Sequence, residues 1–408
     1  MSGERLMPSF GELIKRGIEC SPKREGLGVG GIGVGVAFSC LVTKKTTSLP
    51  FTAHILDKED SITFLQWIFQ TGPLIQYIRK LMCIPRGGAN RVTQNWTTDN
   101  VPDLKGKVII VTGANGGLGF EAAKEFSRKG AQTILACRSV DKGEVALARI
   151  QSEIPGAQAE IIKLDLISQT SIHKFANEIK AKYDHLDVLV NNAGISFVPY
   201  SKTEDGFESQ LAINHLGHFA LTGLLLGVIL KTPGSRVVNI SSVAHRFGSM
   251  DLDNLMFENG KDYSPARAYG RSKLANLLFT YELQRRFELS GSDAIAVAAH
   301  PGYSDTNLFR SIENKWFIKL LAPLTKRMTQ SAAMGALPSI RAAVDPGVTG
   351  GQYYGPNGFM EQKGPPIVVD STSASHNEVV ARRLWEASEK LTGVYYTQLD
   401  NLRMDQKE

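Results

Sequence analysis

The chain has few cysteines, no strong excess of charge and no long unbroken apolar run. Its four cysteines, Cys20, Cys40, Cys83 and Cys137, lack the spacing of a metal site or a disulfide framework. No bound metal is therefore expected, and a reducing compartment is favoured. The formal charge of +6 over 408 residues is modest, and no basic run is interleaved with aromatic residues. This composition argues against a nucleic-acid partner.

The first hundred residues do not share the pattern of the rest. The apolar segment 27–42 is glycine-rich and too short for a membrane helix, and the charged stretch ahead of it does not fit a simple signal peptide. A second apolar segment, 62–84, is broken by Gly72 and Pro73, which favours two short amphipathic helices. Contact with a membrane surface, a cover over the core, a poorly ordered segment and an overextended gene model are all open alternatives. We therefore expect an N-terminal extension over 1–100, in a protein that is soluble or peripherally membrane-associated on the cytoplasmic side.

Strand and helix signals alternate from residue 104 onward. Apolar runs typical of buried strands are followed by stretches of helical length, which is the pattern of a parallel sheet covered on both faces. We expect an α/β fold: a Rossmann-type doubly wound parallel sheet flanked by helices, forming a single catalytic domain over residues 101–408. The predicted strands are 107–111, 133–136, 160–164, 187–190, 236–240, 294–299 and 352–354. The predicted helices are 120–129, one from about 141, 171–183, 207–230 and 269–289.

A glycine-rich turn follows the first predicted strand. It reads Thr-Gly-Ala-Asn-Gly-Gly-Leu-Gly over 112–119 and leads directly into the first predicted helix. Glycines permit a tight turn, let the backbone approach a pyrophosphate, and leave N–H groups at the helix start to meet its negative charge. The spacing departs from the common G-x-G-x-x-G pattern, so the turn alone is weak support for a dinucleotide site. Its candidate cofactor contacts are Gly113, Asn115, Gly117, Leu118 and Gly119.

Tyr269 and Lys273 are four residues apart in a predicted helix, so their side chains share one face. A phenol titrates near ~10 in water, and a nearby ammonium group favours the phenolate. Tyr269 is therefore a candidate acid and base for proton transfer. Ser242 lies upstream, just after a predicted strand, and ligands of parallel sheets bind at that end of the strands.

The order of these motifs resembles that of the classical short-chain dehydrogenases/reductases. The matching residues are Thr112–Gly119, Asn191–Gly194, Asn214, Ser242, Tyr269, Lys273 and Pro301–Gly302, within about residues 104–398. The phrases Ala136–Arg138, Ile213–Phe219, Ser241–His245 and Leu384–Ser388 are similar to those of the retinol dehydrogenase-like branch. The resemblance implies hydride transfer between a nicotinamide cofactor and a carbonyl or alcohol carbon.

The resemblance also implies roles for the residues at the reaction centre. Ser242 would hydrogen-bond the substrate oxygen, with its neighbour Ser241 as the alternative. Tyr269 would exchange the proton of the substrate. Lys273 would lower the pKa of Tyr269 and hold the nicotinamide ribose. Asn214 would keep a water molecule that links Lys273 to solvent.

The end of the second strand bears on the choice between NADP and NAD. NAD-dependent enzymes place an acidic residue there, whereas an arginine suits the 2′-phosphate of NADP. This chain has Arg138 and no acid in Cys137-Arg138-Ser139, so NADP(H) is the expected cofactor. Asn115 stands where many NADP-using relatives have a basic residue, which leaves the strictness of the preference open. By resemblance, the other cofactor contacts are Asp165 near the adenine, Thr306 near the pyrophosphate and carboxamide, and Asn191, Ala193, Gly194, Pro301 and Gly302.

The substrate is less well defined than the reaction. The segment 303–327 is apolar and aromatic, which suits a lid over an apolar aldehyde, ketone or alcohol; a membrane-touching or dimer-packing helix is the alternative. We expect a monomer or a homodimer. Two other functions stay open: double-bond reduction resembling that of protochlorophyllide reductase, and NADP binding by a non-catalytic regulatory protein. The intact Ser242, Tyr269, Lys273 and Asn214 argue against the second of these.

Overall fold

An eight-stranded sheet forms the centre of the domain. The structure, a computed structural model, describes residues 95–303 and 330–399. The strands lie in the spatial order β3-β2-β1-β4-β5-β6-β7-β8, and all neighbours are parallel except β7 and β8. The strands are β1 (Val108–Thr112), β2 (Gln132–Cys137), β3 (Ala159–Lys163), β4 (Val188–Asn191), β5 (Arg236–Ile240), β6 (Ile295–Ala299), β7 (Tyr353–Pro356) and β8 (Pro366–Val368).

Helices cover both faces of this sheet. They are α1 (Gly117–Arg128), α2 (Val140–Glu153), α3 (Gln169–Lys182), α4 (Ser209–Lys231), α5 (Pro265–Leu289), α6 (Ala332–Val344) and α7 (Glu378–Thr392). Successive residues of β1 alternate between the faces: Ile109 and Val111 pack in the cluster with α1, α2 and α6, and Val108 and Ile110 in the cluster with α3, α4 and α5. Every residue of β1 is buried, as a strand covered on both faces requires. The doubly wound α/β fold is confirmed.

The sequence pattern does not predict β8, α6 or α7. β8 extends the sheet by an antiparallel edge strand, in which Val368 pairs with Tyr354 and Pro366 with Pro356. Proline cannot donate to a strand ladder, so it is tolerated at the first residue of an edge strand such as this one. The prediction of a parallel sheet is right for the other strands, and the final edge is mixed.

The domain includes residues ahead of the predicted boundary at 101. Residues 1–94 lie outside the described part of the chain, and with them the apolar segments at 27–42 and 62–84. Trp96 is only 4% exposed and belongs to the cluster on the α1 face. The Thr97 side chain then caps a short 3₁₀ turn. The packed core therefore begins no later than Trp96.

α4 is a core helix that carries a local irregularity. Among the described residues it is long and apolar enough to cross a membrane, but 72% of its apolar window is buried inside the domain. Burial in a globular core explains that composition equally well. Within α4, residues Ala212–Leu216 form a π-helical turn that contains Asn214. Such turns are frequent at functional sites.

Candidate active site

The predicted site residues gather at the carboxyl ends of the central strands. The strand order reverses at β1 and β4, and ligands of doubly wound sheets bind outside the carboxyl ends at such a reversal. Gly113 follows β1, Ala193 and Gly194 follow β4 closely, and Ser242 lies just after β5. The fold thus brings residues from distant parts of the sequence to one edge.

Close packing of two glycines brings α5 against the loop that carries Ser242. A Cβ atom added to Gly248 would lie 2.3 Å from the carbonyl oxygen of Gly270 in α5, so no larger residue fits at Gly248 without a shift of the backbone. Tyr269 and Lys273 lie on one face of α5, and they are only 5% and 4% exposed. Both side chains therefore project into the same buried region.

Burial controls the protonation state of Tyr269. It raises the pKa of the phenol to about 12; a hydrogen bond with Ser242 opposes this rise and Tyr303 adds to it. Burial outweighs the other effects, and the ammonium nitrogen of Lys273 lies 5.7 Å from the centroid of the phenol ring. At neutral pH the phenol therefore carries its proton. The lowering of the Tyr269 pKa expected of Lys273 stays a prediction.

Lys273 is held between β5 and the loop after β4. Its Nζ donates a hydrogen bond to the carbonyl oxygen of Ile240 at 3.0 Å, and Nδ2 of Asn276 donates to the same oxygen at 3.0 Å. A Cβ atom added to Gly194 would lie 3.6 Å from Nζ. Burial lowers the pKa of Lys273 to about 8, so the amine remains mostly charged at pH 7.

Asn214 joins the loop after β4 to α5. Its Oδ1 accepts from the N–H of Ile195 at 2.9 Å, and its Nδ2 donates to the carbonyl oxygen of Ile195 at 3.0 Å and to Oγ of Ser272 at 2.9 Å. A Cβ atom added to Gly194 would lie 3.0 Å from Oδ1. The side chain thus holds the loop beside Lys273. The water relay expected of Asn214 stays a prediction.

Thr112 links the end of β1 to the loop after β4, a role that the motif match at Thr112–Gly119 did not assign to it. Its hydroxyl accepts from the N–H groups of Asn192 and Ala193, both at 2.9 Å, and lies 2.9 Å from Nε2 of His218. Burial lowers the pKa of His218 to about 3, so the ring is neutral; Nδ1 donates to the carbonyl oxygen of Asn214 at 3.2 Å and Nε2 accepts from Thr112. The only sequence signals were the Thr-Gly pair and the spacing of Asn214 and His218.

Two polar residues of the motifs turn inward. The Asn191 side chain, 1% exposed, donates from Nδ2 to Oδ1 of Asn239 at 2.8 Å, so it supports the sheet. The cofactor contact expected of Asn191 stays a prediction. Oγ of Ser241 donates to the carbonyl oxygen of Lys273 at 2.8 Å, which leaves Ser242 as the serine that faces Tyr269.

The start of α1 differs from that of the other helices around the sheet. Serine side chains cap α2, α3 and α5, whereas α1 follows Gly116 and has no side-chain cap. N–H groups at an uncapped helix start fit a pyrophosphate. A Cβ atom on Gly119 would lie 2.6 Å from the carbonyl oxygen of Gly113, so the turn is tightly closed. The predicted contacts in this turn and the first turn of α1 are Gly113, Asn115, Gly117, Leu118 and Gly119.

The other predicted cofactor residues lie at the same edge where they are described. Arg138 is exposed and directly follows β2, and Asp165 is half-buried after β3. Pro301 and Gly302 follow β6 closely. Thr306 and the predicted lid beyond it lie outside the described residues. Within the described ranges, no three His, Cys, Asp or Glu side chains are grouped to hold a metal ion.

Comparison with known proteins identifies the family. Residues 107–316 match the family model described as short chain dehydrogenase. The chain belongs to this family. It is 42% identical over 291 residues to retinol dehydrogenase 11 of Homo sapiens, covering 71% of this chain and 87% of that protein. It is 40% identical over 296 residues to retinol dehydrogenase 13 of Homo sapiens, covering 71% and 86%. The resemblance to the retinol dehydrogenase-like branch is confirmed.

Solved structures share the fold. An uncharacterized protein from Mycobacterium paratuberculosis is 39% identical with a TM-score of 0.62, covering 74% of this chain and 99% of that one. The NADP active-site complex of RhlG from Pseudomonas aeruginosa is 25% identical with a TM-score of 0.50, covering 62% and 94%. With the family and the relatives at about 40% identity, this protein is a hydride-transferring oxidoreductase that uses a nicotinamide cofactor and acts on alcohols or carbonyls.

Proposed function

We propose that this protein is an NADP(H)-dependent oxidoreductase that interconverts an apolar aldehyde or ketone and its alcohol, with Tyr269 as the acid and base. The observation that carries the proposal is the grouping of the half-buried Ser242 with the buried Tyr269 and Lys273 beside the loop after β4. The phenol is hydrogen-bonded to Ser242, and the face of α5 that bears Tyr269 also bears the ammonium group.

The protonation states support catalysis of carbonyl reduction at neutral pH. Negative charge develops on the carbonyl oxygen during reduction, and the Ser242 hydroxyl and the protonated phenol are donors suited to it. Tyr269 then gives its proton to that oxygen, and the ammonium of Lys273 stabilises the phenolate left behind. Bound nicotinamide supplies or accepts the hydride. Alcohol oxidation uses the same residues in reverse.

Arg138 and the absence of an acid at the end of β2 support NADP(H) over NAD(H). Arg138 follows β2 and its side chain is exposed, so its guanidinium can donate two hydrogen bonds to a phosphate. The NADP complex of RhlG is a structural neighbour, which agrees with this choice. We further propose Asp165, Ala193, Gly194, Pro301, Gly302 and Thr306 as cofactor contacts, together with the turn before α1.

An aromatic ring beside the phenol and another on the loop after Ser242 support an apolar substrate. The ring centroid of Phe197 lies 5.0 Å from that of Tyr269, and Phe247, on the loop after Ser242, is 48% exposed. Apolar walls with a few polar groups are usual for small-molecule sites. The relatives named retinol dehydrogenases also suggest a hydrophobic alcohol or aldehyde, although retinoid use is not part of the proposal.

A substrate panel tests the proposed reaction. Purified protein is incubated with NADPH or NADH and with apolar aldehydes, ketones and enones, and the product mass and its carbonyl content are measured. We expect alcohols from aldehydes or ketones, formed faster with NADPH. A saturated ketone formed from an enone would instead favour double-bond reduction. Binding of NADPH without any product would favour a regulatory protein.

A further inference from the structure

The loop between β7 and β8 returns to the active-site edge of the sheet. The N–H of Asn357 donates to the carbonyl oxygen of Pro365 at 2.9 Å, and that of Gly358 to the carbonyl oxygen of Lys363 at 2.9 Å. These bonds close a tight hairpin. Its tip contains Glu361, in a short 3₁₀ turn.

Glu361 contacts two other segments of the site at once. Its Oε1 lies 2.6 Å from Nη2 of Arg246, and its Oε2 lies 3.1 Å from Nε2 of His300. Arg246 belongs to the 3₁₀ turn capped by Ser242, and His300 directly precedes Pro301. Burial would raise the pKa of the Glu361 carboxyl group, but His300 and Arg246 together hold it below its ordinary value. The carboxylate therefore stays ionised between its two partners.

The orientation of His300 suits this contact. Its Nδ1 accepts a hydrogen bond from the N–H of Gly302 at 3.3 Å, so the ring proton of the neutral form lies on Nε2, which faces Glu361. Gly355 of β7 packs closely against the ring: a Cβ atom added to Gly355 would lie 2.0 Å from Nε2 of His300. The His300 side chain is fully buried, so its position is fixed.

The backbone at the hairpin tip is strained. Met360 and Glu361 have φ angles of 54° and 57°, in the left-handed region that residues other than glycine rarely adopt. Phe359 beside them is 84% exposed, so burial of that side chain does not secure the tip. Strained backbone persists only where surrounding contacts hold it, and it is concentrated at functional sites. Here the contacts of Glu361 supply that restraint.

A second side chain ties the same hairpin to the Pro301 segment. Nε2 of Gln330 donates to the carbonyl oxygen of Pro301 at 2.8 Å, and its Oε1 accepts from the N–H of Gly364 at 3.1 Å. The N–H of Tyr303 also donates to the carbonyl oxygen of Gln362 at 2.7 Å. The hairpin is thus bonded, just after Glu361, to the chain that leaves β6.

We propose that Glu361 is a positioning residue that fixes the Ser242 loop relative to the Pro301–Gly302 loop. The inference rests on the proposed function, in which Ser242 binds the substrate oxygen and Pro301–Gly302 borders the cofactor. Oε1 of Glu361 accepts from Arg246, and Oε2 lies against the imidazole of His300. Loss of the carboxylate lets the Ser242 loop move relative to the hairpin, which stays bonded to the Pro301 segment through Gln330 and Gln362. Loss of this restraint misplaces the substrate oxygen relative to the cofactor.

The variant Glu361→Gln tests this role, because it removes the negative charge and replaces one of the two oxygens by an NH2 group, which would face an N–H of Arg246 or His300. Glu386→Gln, an exposed glutamate of α7, is the matched control. We expect Glu361→Gln to lower kcat by about 10- to 100-fold, since a small misplacement of reacting groups has an effect of this size. The Kd of NADPH and the Tm should change little. A lower Tm with unchanged kcat per active site would show a merely structural role and overturn the proposal.

Two further measurements separate this proposal from the proposed reaction. Arg246→Gln removes a contact that Glu361→Gln already breaks, so the double variant should lower kcat by about the same factor as Glu361→Gln alone; multiplied effects would contradict the shared role. Hydrogen exchange of the 242–247 and 300–303 peptides should be faster in Glu361→Gln, while exchange of β1 is unchanged. Hydrogen exchange can be measured without turnover. Unchanged exchange in Glu361→Gln would therefore refute the positioning role even if the parent enzyme is active. A parent enzyme without activity would refute only the proposed reaction.

Discussion

Tyr269 and Lys273 owe their protonation states to burial rather than to each other. Burial raises the pKa of Tyr269 to about 12 and lowers that of Lys273 to about 8. At pH 7 the pair is therefore a neutral phenol and a charged amine. Sequence spacing correctly predicted that the two side chains share a face, but the size of the desolvation effect depends on the packing around them. That packing comes from residues far away in sequence, so the pattern cannot show it.

The variant Tyr269→Phe isolates the proton-transfer group. Only the hydroxyl is lost, so NADPH should still bind, whereas turnover should fall by about 10² to 10⁴-fold, the usual contribution of general acid–base catalysis. Single-turnover oxidation of NADPH and cofactor fluorescence measure the two properties. Tyr281→Phe is the control, because the Tyr281 hydroxyl, also on α5, bonds Ser371 instead. Equal turnover in Tyr269→Phe and the parent would rule out the assigned role.

The variant Lys273→Met should stabilise the protein while it removes activity. The folded pKa of about 8 lies below the unfolded value near ~10.4, so the buried ammonium destabilises the fold by on the order of 3 kcal/mol below pH 8. This cost falls as the pH rises from about 8 to about 10.4, because the unfolded chain then binds more protons than the folded one. Met has a similar length, and the Ile240 carbonyl oxygen keeps its bond from Asn276.

Urea unfolding at pH 7 and pH 10 measures this effect. We expect the free energy of unfolding of Lys273→Met to exceed that of the parent by about 1–3 kcal/mol at pH 7, after losses in packing are included. The difference should shrink at pH 10. Lys174→Met, at an exposed position of α3, controls for loss of a surface charge. A variant that is less stable than the parent at both pH values would contradict the argument.

Elements built from local signals were predictable, and elements defined by distant contacts were not. β1, the glycine turn and α1 follow one another in sequence, so apolar runs and glycines predict them directly. β8 is three residues long and begins with Pro366, which gives no strand signal. Its loop carries Glu361 to Arg246 and His300, and no spacing rule relates those positions. The position of α5 beside the Ser242 loop likewise depends on the close packing of Gly248 against Gly270, two residues that no spacing rule relates.

The turn between β2 and α2 should determine cofactor choice through Arg138. In Arg138→Asp, a carboxylate repels the 2′-phosphate of NADPH and can accept from a ribose hydroxyl of NADH. Loss of one charge-assisted bond corresponds to about 1.5–3 kcal/mol, so NADPH should bind roughly ten-fold or more weakly. NADH binding should be unchanged or tighter. Fluorescence titration with both cofactors measures the ratio.

Lys142→Asp is the control for Arg138→Asp. Lys142 is exposed on the first turn of α2, so the variant makes the same change in net charge near the same turn. A general electrostatic effect would weaken NADPH equally in both variants. An unchanged ratio of NADPH to NADH affinity in Arg138→Asp would show that specificity is determined elsewhere.

The hydrophobic core of the domain includes Trp96, which precedes the first sequence motif. Trp96 packs in the cluster on the α1 face, and the guanidinium of Arg341 in α6 lies 5.9 Å from the centroid of its ring. The alternation of strands and helices predicts the fold class from residue 104 onward. It does not show that Trp96 completes the core, because its neighbour Arg341 lies more than two hundred positions further along the chain.

A chain that begins at Asn95 should therefore fold and remain active. All described catalytic positions lie beyond Thr112, and Trp96 is retained. We expect NADPH binding, and a rate with a small soluble aldehyde within a few-fold of that of the whole chain. A chain that begins at Val101 is the control, because it lacks Trp96; its free energy of unfolding should be lower by about 3–5 kcal/mol, as for truncation of a buried tryptophan.

Membrane contact, by contrast, should be lost with residues 1–94. The apolar segment 62–84, interrupted by glycine and proline and followed by basic residues, has the composition of a surface-attached amphipathic region. Sedimentation with liposomes should therefore bring down the whole chain but not the chain that begins at Asn95, and any loss of activity should be confined to lipid-like substrates. Thermal unfolding with and without NADPH checks that the shorter chain still binds cofactor. If it is insoluble, or gains no stability from NADPH, the extension is part of the folded core and the proposed boundary is wrong.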